Sequence, residues 1–216
     1  MTVFIRFAYD ACKKSNKTVS DMKARKILAR DFIMKGLINK YGELTLTESK
    51  ECFADLARAI VAQQLSAKAA DTIWKRVQAL FGGKITAGKL LSAPDGDIRQ
   101  AGVSSNKIKY IKNIARAVAD KTLDLDHIRN CGDDEIIRQL TAIKGVGRWT
   151  AEMFLIFSLA REDVFSFGDG GLTSAVNRLY GGSIPLTKDE IKTIADKWQP
   201  YRSIASLYLW RSLNNK

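Results

Sequence analysis

Apolar positions along the chain recur with helical spacing almost throughout. From Ser49 onward, Phe53, Leu56, Ala57, Ile60 and Val61 fall on one helix face. Ser66 offers an N-cap for a second helix whose face is Ala69, Ala70, Ile73, Val77 and Leu80, and Gly82-Gly83 ends it. Residues 84–106 read as short helical pieces parted by turns at Pro94-Asp95-Gly96 and Gly102-Val103-Ser104-Ser105. Lys107 to Lys121 pairs an apolar stripe (Ile108, Ile111, Ala115, Val118) with a basic one (Lys109, Lys112, Arg116), a share of which is expected to meet phosphate. Asp133-Asp134 opens the helix that carries Ile136, Ile137 and Leu140. Thr187-Lys188-Asp189-Glu190 has the spacing of a capping box, beginning a helix that runs to Trp198 and stops before Pro200. A final helix is predicted from about Arg202 to Leu213. At the other end, residues 1 to about 42 read as an irregular start followed by helix, with Leu28, Phe32 and Leu37 near helical spacing and Gly42 as the stop. Few runs alternate with period two, so the predicted fold class is all-α.

The densest stretch runs from Leu140 to Leu172. It holds a glycine turn, Lys144-Gly145-Val146-Gly147, and then a twelve-residue run, Trp149 to Ala160, in which Glu152 alone is charged. A loop follows that carries Asp169 between glycines, and a new helix is predicted near Leu172. Glycine at 145 and 147 permits positive φ and close approach of another backbone. The first amides of the next helix lack intrahelical partners and can point at an anion, with Lys144 and Arg148 adding charge on either side. Taken alone, such a turn reads better as a glycine-capped corner between two helices.

Composition narrows the class. At 216 residues with 46% hydrophobic and 27% charged positions, the chain is globular, as one domain or two small ones. The formal charge of +12 suits a polyanionic partner. Cys12, Cys52 and Cys131 lie far apart without metal-ligand spacing, which argues against a zinc site or an iron–sulfur cluster and fits free thiols in a reducing compartment. The single histidine, His127, sits in a polar stretch and reads as a surface residue. No apolar run has bilayer length, and the N-terminal MTVFIRFAYDACKK places its basic residues after its apolar ones, unlike a signal peptide. The expectation is a soluble intracellular protein.

Five blocks in order resemble the helix-hairpin-helix DNA glycosylases, most of all their 3-methyladenine DNA glycosylase II branch: RAIVAQQLSAKAA (Arg58 to Ala70), GVSSNKIKYIKNIA (Gly102 to Ala115), IKGVGRWTAEMFLIF (Ile143 to Phe157), DVFSFGDGGL (Asp163 to Leu172) and WQPYRSIASLYLW (Trp198 to Trp210). The resemblance spans roughly residues 50 to 212. It implies a two-lobed helical body with the active cleft between the lobes. Residues 53–160 would form the central lobe with the hairpin, and residues 1–52 with 161–216 the other. The β-rich N-terminal domain of some bacterial relatives is not expected.

By position Asp169 matches the family's catalytic aspartate. The preceding residue is commonly aspartate in relatives and is Gly168 here, so with Gly170 and Gly171 the loop is expected to be looser than usual. Lys144 replaces a customary hairpin proline, adding charge. Strand-cutting glycosylases place a lysine at position 149 to form a Schiff base with the sugar; Trp149 cannot do so, which implies base release by hydrolysis alone. Trp149, Met153 and Trp210 match the base pocket, although each tryptophan reads equally as core; Tyr208 and Phe157 read as core. Gln63, Gln64, Leu65 and Ser66 match the tip that fills the gap left by an extruded base, with Leu65 as the preferred wedge. Lys144, Gly145, Val146, Gly147 and Arg148 would grip the strand, the amides of Gly145 and Gly147 holding a phosphate. A structural sodium or potassium ion at carbonyls near Ile143 and Val146 is implied as an option, with no other cofactor.

The resemblance implies a monomer whose partner is double-stranded DNA containing alkylated bases, in the cytoplasm or nucleoid of a bacterium or the nucleus of a eukaryote. An N3- or N7-alkylated purine already carries positive charge and leaves without a strong general acid, so one carboxylate suffices where ordinary glycoside hydrolysis uses two. The alternative is a non-catalytic or weakly active binder of damaged or bent DNA with the same fold. An endonuclease III-like enzyme meets two objections, Trp149 and the lack of a cysteine cluster.

Overall fold

The computed structural model describes residues 19–213, and every regular element among them is helical. In chain order the elements are α1 (Val19–Leu28), α2 (Phe32–Tyr41), α3 (Cys52–Ala62), α4 (Ala67–Leu80), α5 (Ala87–Ser92), α6 (Asp95–Gln100), α7 (Ser105–Ala119), a 3₁₀ turn (Ile128–Asn130), α8 (Asp133–Thr141), α9 (Arg148–Phe157), α10 (Gly170–Tyr180), α11 (Lys188–Asp196) and α12 (Arg202–Ser212). The irregular start expected before residue 19, and Cys12 within it, lie outside the described residues. No described helix is long and apolar enough to cross a membrane.

The chain divides into two compact units, with chain passing between them at residues 48–49 and 159–160. The first comprises α1, α2 and α10 to α12. Its centre is α12, buried from Ser203 to Trp210 on every side. A helix enclosed all round has no reason to be amphipathic, and its serines pair locally instead: Ser206 Oγ donates to the Arg202 carbonyl and Ser212 Oγ to the Leu209 carbonyl. Tyr208, fully buried, donates its hydroxyl to the Gly42 carbonyl at 2.9 Å, tying α12 to the end of α2. Leu28 and Phe32 do not share a helix, because the chain breaks at Asp31. That carboxylate caps α2 through the amides of Ile33 and Met34 and also accepts from Trp198 Nε1. Phe32, at the first position after the cap, is 88% exposed and no part of the core. The capping box at Thr187 forms as the spacing predicts, with Glu190 reaching back to the Thr187 amide at 2.7 Å.

The second unit comprises α3 to α9. The apolar stripe of α3 packs on α7 and α9, and α7 also packs on α5 and α6. Ser66 caps α4 by accepting from the Ala69 amide. Of the basic stripe on α7, Lys112 is turned to structural use: its ammonium pairs with Asp95 and donates to the Ala93 carbonyl, holding the α5–α6 corner. Cys52 is buried, and burial followed by the nearby Asp55 charge pushes its thiol up to about 11. His127 is exposed, and no group of three metal-ligating side chains occurs among the described residues.

Candidate active site and nucleic-acid interface

Asp169 lies in the first unit, at the junction of the 160–169 loop with α10. It is the N-cap of that helix: Oδ1 accepts from the Leu172 amide at 2.8 Å and from Trp210 Nε1 at 3.0 Å. One donor comes from its own helix and one from α12, so the carboxylate is fixed from two directions with only 2% of the residue exposed. The positive end of the α10 dipole faces it. Further along the loop, Arg202 grips Asp163 through Nε at 2.8 Å and Nη2 at 3.1 Å, while the Ser203 hydroxyl bridges the amide and carbonyl of Val164. The two ends of α12 thus hold the loop at residues 163–164 and at 169.

This arrangement corrects the expectation of a loose loop. Gly170 and Gly171 are the first turn of α10, not loop, and Gly168 is bracketed by a turn in which the Asp169 amide donates to the Ser166 carbonyl. Gly171 has a steric reason to be glycine. A Cβ there would lie 3.0 Å from Asp169 Oδ1 and 3.5 Å from Trp210 Cδ1, crowding the carboxylate and its donor together. The helix begins two residues before the predicted Leu172, because Asp169 itself is the cap.

Trp210 has no exposed surface, and what the structure gives it is a hydrogen bond to the carboxylate instead of an open aromatic face. Met153 is likewise fully buried, in α9 of the second unit; Trp149, at the start of the same helix, keeps partial exposure. Phe157 and Tyr208 are core. Phe167, which the sequence reading passed over, is 43% exposed on the Asp169 loop and packs on Phe165 with ring centroids 4.8 Å apart.

The glycine turn joins α8 to α9 in the second unit. The Val146 amide donates to the Ile143 carbonyl at 3.0 Å, closing a four-residue turn with Gly145 in its third place at φ +108°. A Cβ on Gly145 would stand 2.3 Å from Cγ of Tyr110, so the close approach that demands glycine is to an aromatic side chain of α7 and not to another backbone. Gly147 differs from expectation: its φ is −88° as the N-cap of α9, and a Cβ there would meet nothing within 4 Å. Val146 is buried, and its amide is engaged within the turn by the bond to the Ile143 carbonyl. Lys144 is exposed, and Arg148 is exposed while its Nε donates to buried Glu152 at 2.9 Å.

The tip lies between α3 and α4. Gln63 Nε2 reaches the Gly145 carbonyl and Thr150 Oγ1, each at 3.5 Å, so tip and glycine turn touch. Gln64 is exposed and adopts φ +55°, a left-handed conformation uncommon outside glycine. Leu65 is half-buried and Ser66 exposed. Behind both features stands α7, whose part no sequence pattern signalled. Lys107 Nζ donates to the Val61 and Gln63 carbonyls at 2.8 and 2.6 Å, and Asn113 Nδ2 donates to the Lys144 carbonyl at 3.1 Å.

The model of the HhH-GPD superfamily of base excision DNA repair proteins matches residues 57–200. The chain belongs to that superfamily. Among solved structures, a DNA-3-methyladenine glycosidase from Bacillus halodurans is 40% identical, with a TM-score of 0.79 over 88% of each chain. The Schizosaccharomyces pombe 3-methyladenine DNA glycosylase, solved with abasic DNA, is 32% identical with a TM-score of 0.81 over 89% of this chain and 97% of that one. A Bacillus subtilis protein provisionally named as a DNA-3-methyladenine glycosylase is 32% identical over 165 residues; the match takes in 73% of this chain and spans 58% of that protein's length. The fold is therefore that of the HhH DNA glycosylases, and the relatives are of the 3-methyladenine type.

Proposed function

We propose that the chain is a monofunctional DNA glycosylase that hydrolyses the N-glycosidic bond of alkylated purines such as 3-methyladenine and 7-methylguanine in duplex DNA, as a step of base excision repair. The observation that carries this reading is the fixed Asp169 carboxylate, held by the Leu172 amide and by Trp210 on a loop that matches the family's catalytic loop. A purine cation departs readily, and the developing positive charge on the sugar needs one preorganised anion. The +12 formal charge favours a polyanion, and the glycine turn with Lys144 supplies a strand grip. Trp149 stands where a Schiff-base lysine would be needed to cut the strand, so the abasic product stays intact.

The carbonyls of Ile143 and Val146 are hard neutral oxygens suited to a sodium or potassium ion, and the Ile143 oxygen keeps a second lone pair beyond the Val146 amide. Such an ion would stiffen the turn and supply no chemistry.

The test is incubation with methylated duplex DNA followed by mass spectrometry of released bases. Wild-type protein is expected to release 3-methyladenine and 7-methylguanine, leaving a strand that breaks only on alkaline heating. Asp169→Asn is expected to lose at least about 10²-fold in rate, the scale on which a preorganised electrostatic contact acts. Equal release by the variant, or no release by wild type, sinks the proposal.

A further inference from the structure

We infer that α7 is a strut that fixes the tip and the glycine turn relative to each other, with Lys107 a positioning residue for base extrusion; the inference rests on the glycosylase reading above. Three side chains at three-residue intervals carry it: Lys107, Tyr110 and Asn113. They advance about 9 Å along the helix from first to last. Lys107 serves the tip. Its ammonium is turned inward onto the Val61 and Gln63 carbonyls, at the end of α3 where the helix leaves its last carbonyls unpaired and its dipole is negative. On a strongly basic chain an outward ammonium would be the ordinary arrangement, and this one accepts a desolvation that lowers its pKa.

Tyr110 and Asn113 serve the glycine turn. Tyr110 fills the space beside Gly145 that any Cβ would occupy. Asn113 holds the Lys144 carbonyl toward α7. In a planar trans peptide the carbonyl and the following N–H point opposite ways, so this bond aims the Gly145 amide away from α7. Gln63 then links the two features directly through the Gly145 carbonyl. A wedge can enter a base stack only if its base does not yield, and here the backbone under Gln63 is pinned by a charge-assisted pair of hydrogen bonds.

A purely structural lysine would lower stability and every activity together; the strut separates them. The experiment compares wild type, Lys107→Met, Lys107→Arg and Asn113→Ala in three measurements. These are affinity for undamaged duplex, emission of a 2-aminopurine beside a tetrahydrofuran abasic site, and single-turnover excision from methylated DNA. For folded Lys107→Met we expect duplex affinity within threefold of wild type, an emission rise below a third of wild type, and excision slowed at least tenfold. Lys107→Arg, which keeps the charge, is expected to recover at least half of the emission rise. Asn113→Ala is expected to weaken duplex affinity at least threefold. Wild-type emission and excision from Lys107→Met, or unchanged affinity from Asn113→Ala, would overturn the strut. Should the methionine variant not fold, Lys107→Gln takes its place, with emission and excision at wild-type levels overturning it equally. If wild type releases no base, the glycosylase reading fails while the emission and affinity arms still decide the strut.

Discussion

The Asp169 corner and the glycine turn solve opposite problems. At the corner the candidate catalytic group is a side-chain carboxylate, sealed to 2% exposure and held by a backbone amide and an indole from helices of the same unit. At the turn the candidate contacts are backbone amides and exposed basic side chains, and the holding is done from behind by Asn113 and the Tyr110 ring of α7. Chemistry at a single bond needs an anion that does not move. A strand grip needs donors facing water and takes its rigidity from the layer underneath. Substitutions should therefore act on rate at the corner and on affinity or folding at the turn.

The largest contrast lies within the turn itself. Gly145→Ala combines a φ of +108° with a Cβ 2.3 Å from the Tyr110 ring, and is expected to cost about 2–4 kcal/mol of stability in denaturant titrations. Gly147→Ala, at φ −88° with open space around it, should change stability by less than about 0.5 kcal/mol. Equal costs would show that the turn is not packed on Tyr110. At the corner, Trp210→Phe removes the indole donor to Oδ1 and keeps an aromatic ring; a fall in single-turnover excision of about tenfold is expected, or ~1.4 kcal/mol, with duplex affinity unchanged. A loss of affinity instead would place Trp210 in the grip. Lys144→Ala should weaken duplex binding about threefold at low salt and reduce the slope of log affinity against log salt by about one, with the excision rate at saturation preserved. The smallest effect concerns Cys52, whose thiol is pushed up to about 11. It should alkylate far more slowly at pH 8 than half-exposed Cys131 in peptide mapping of native protein, and comparable rates would contradict its burial.

What could be read from sequence was local. The capping box at Thr187 and the Ser66 cap depend on residues three apart, and both form as expected. The all-helical class followed from periodicity, and the position of Asp169 from an ordered set of blocks. The misses share a cause, which is that their partners are distant in sequence. Nothing near Gly171 announces that Trp210 will press on the carboxylate beside it, so a glycine-rich stretch read as slack where it is tight. Lys112 reads as part of one basic stripe with Lys109 and Arg116, yet packing sends it to the corner at Asp95, while Lys107, outside that stripe, goes to the end of α3. Phe32 kept helical spacing with Leu28, but a carboxylate between them ended one helix and began another.

Gln64 holds φ +55°, a geometry that glycine would adopt with less strain. A programme of thermal hardening that replaced left-handed residues with glycine would reach this position early, gaining about 1 kcal/mol on paper. It would also erase an exposed amide side chain and soften the backbone of the tip. Melting temperature and repair capacity are thus expected to part company here, and a screen that ranks variants by heat resistance alone would favour the wrong ones.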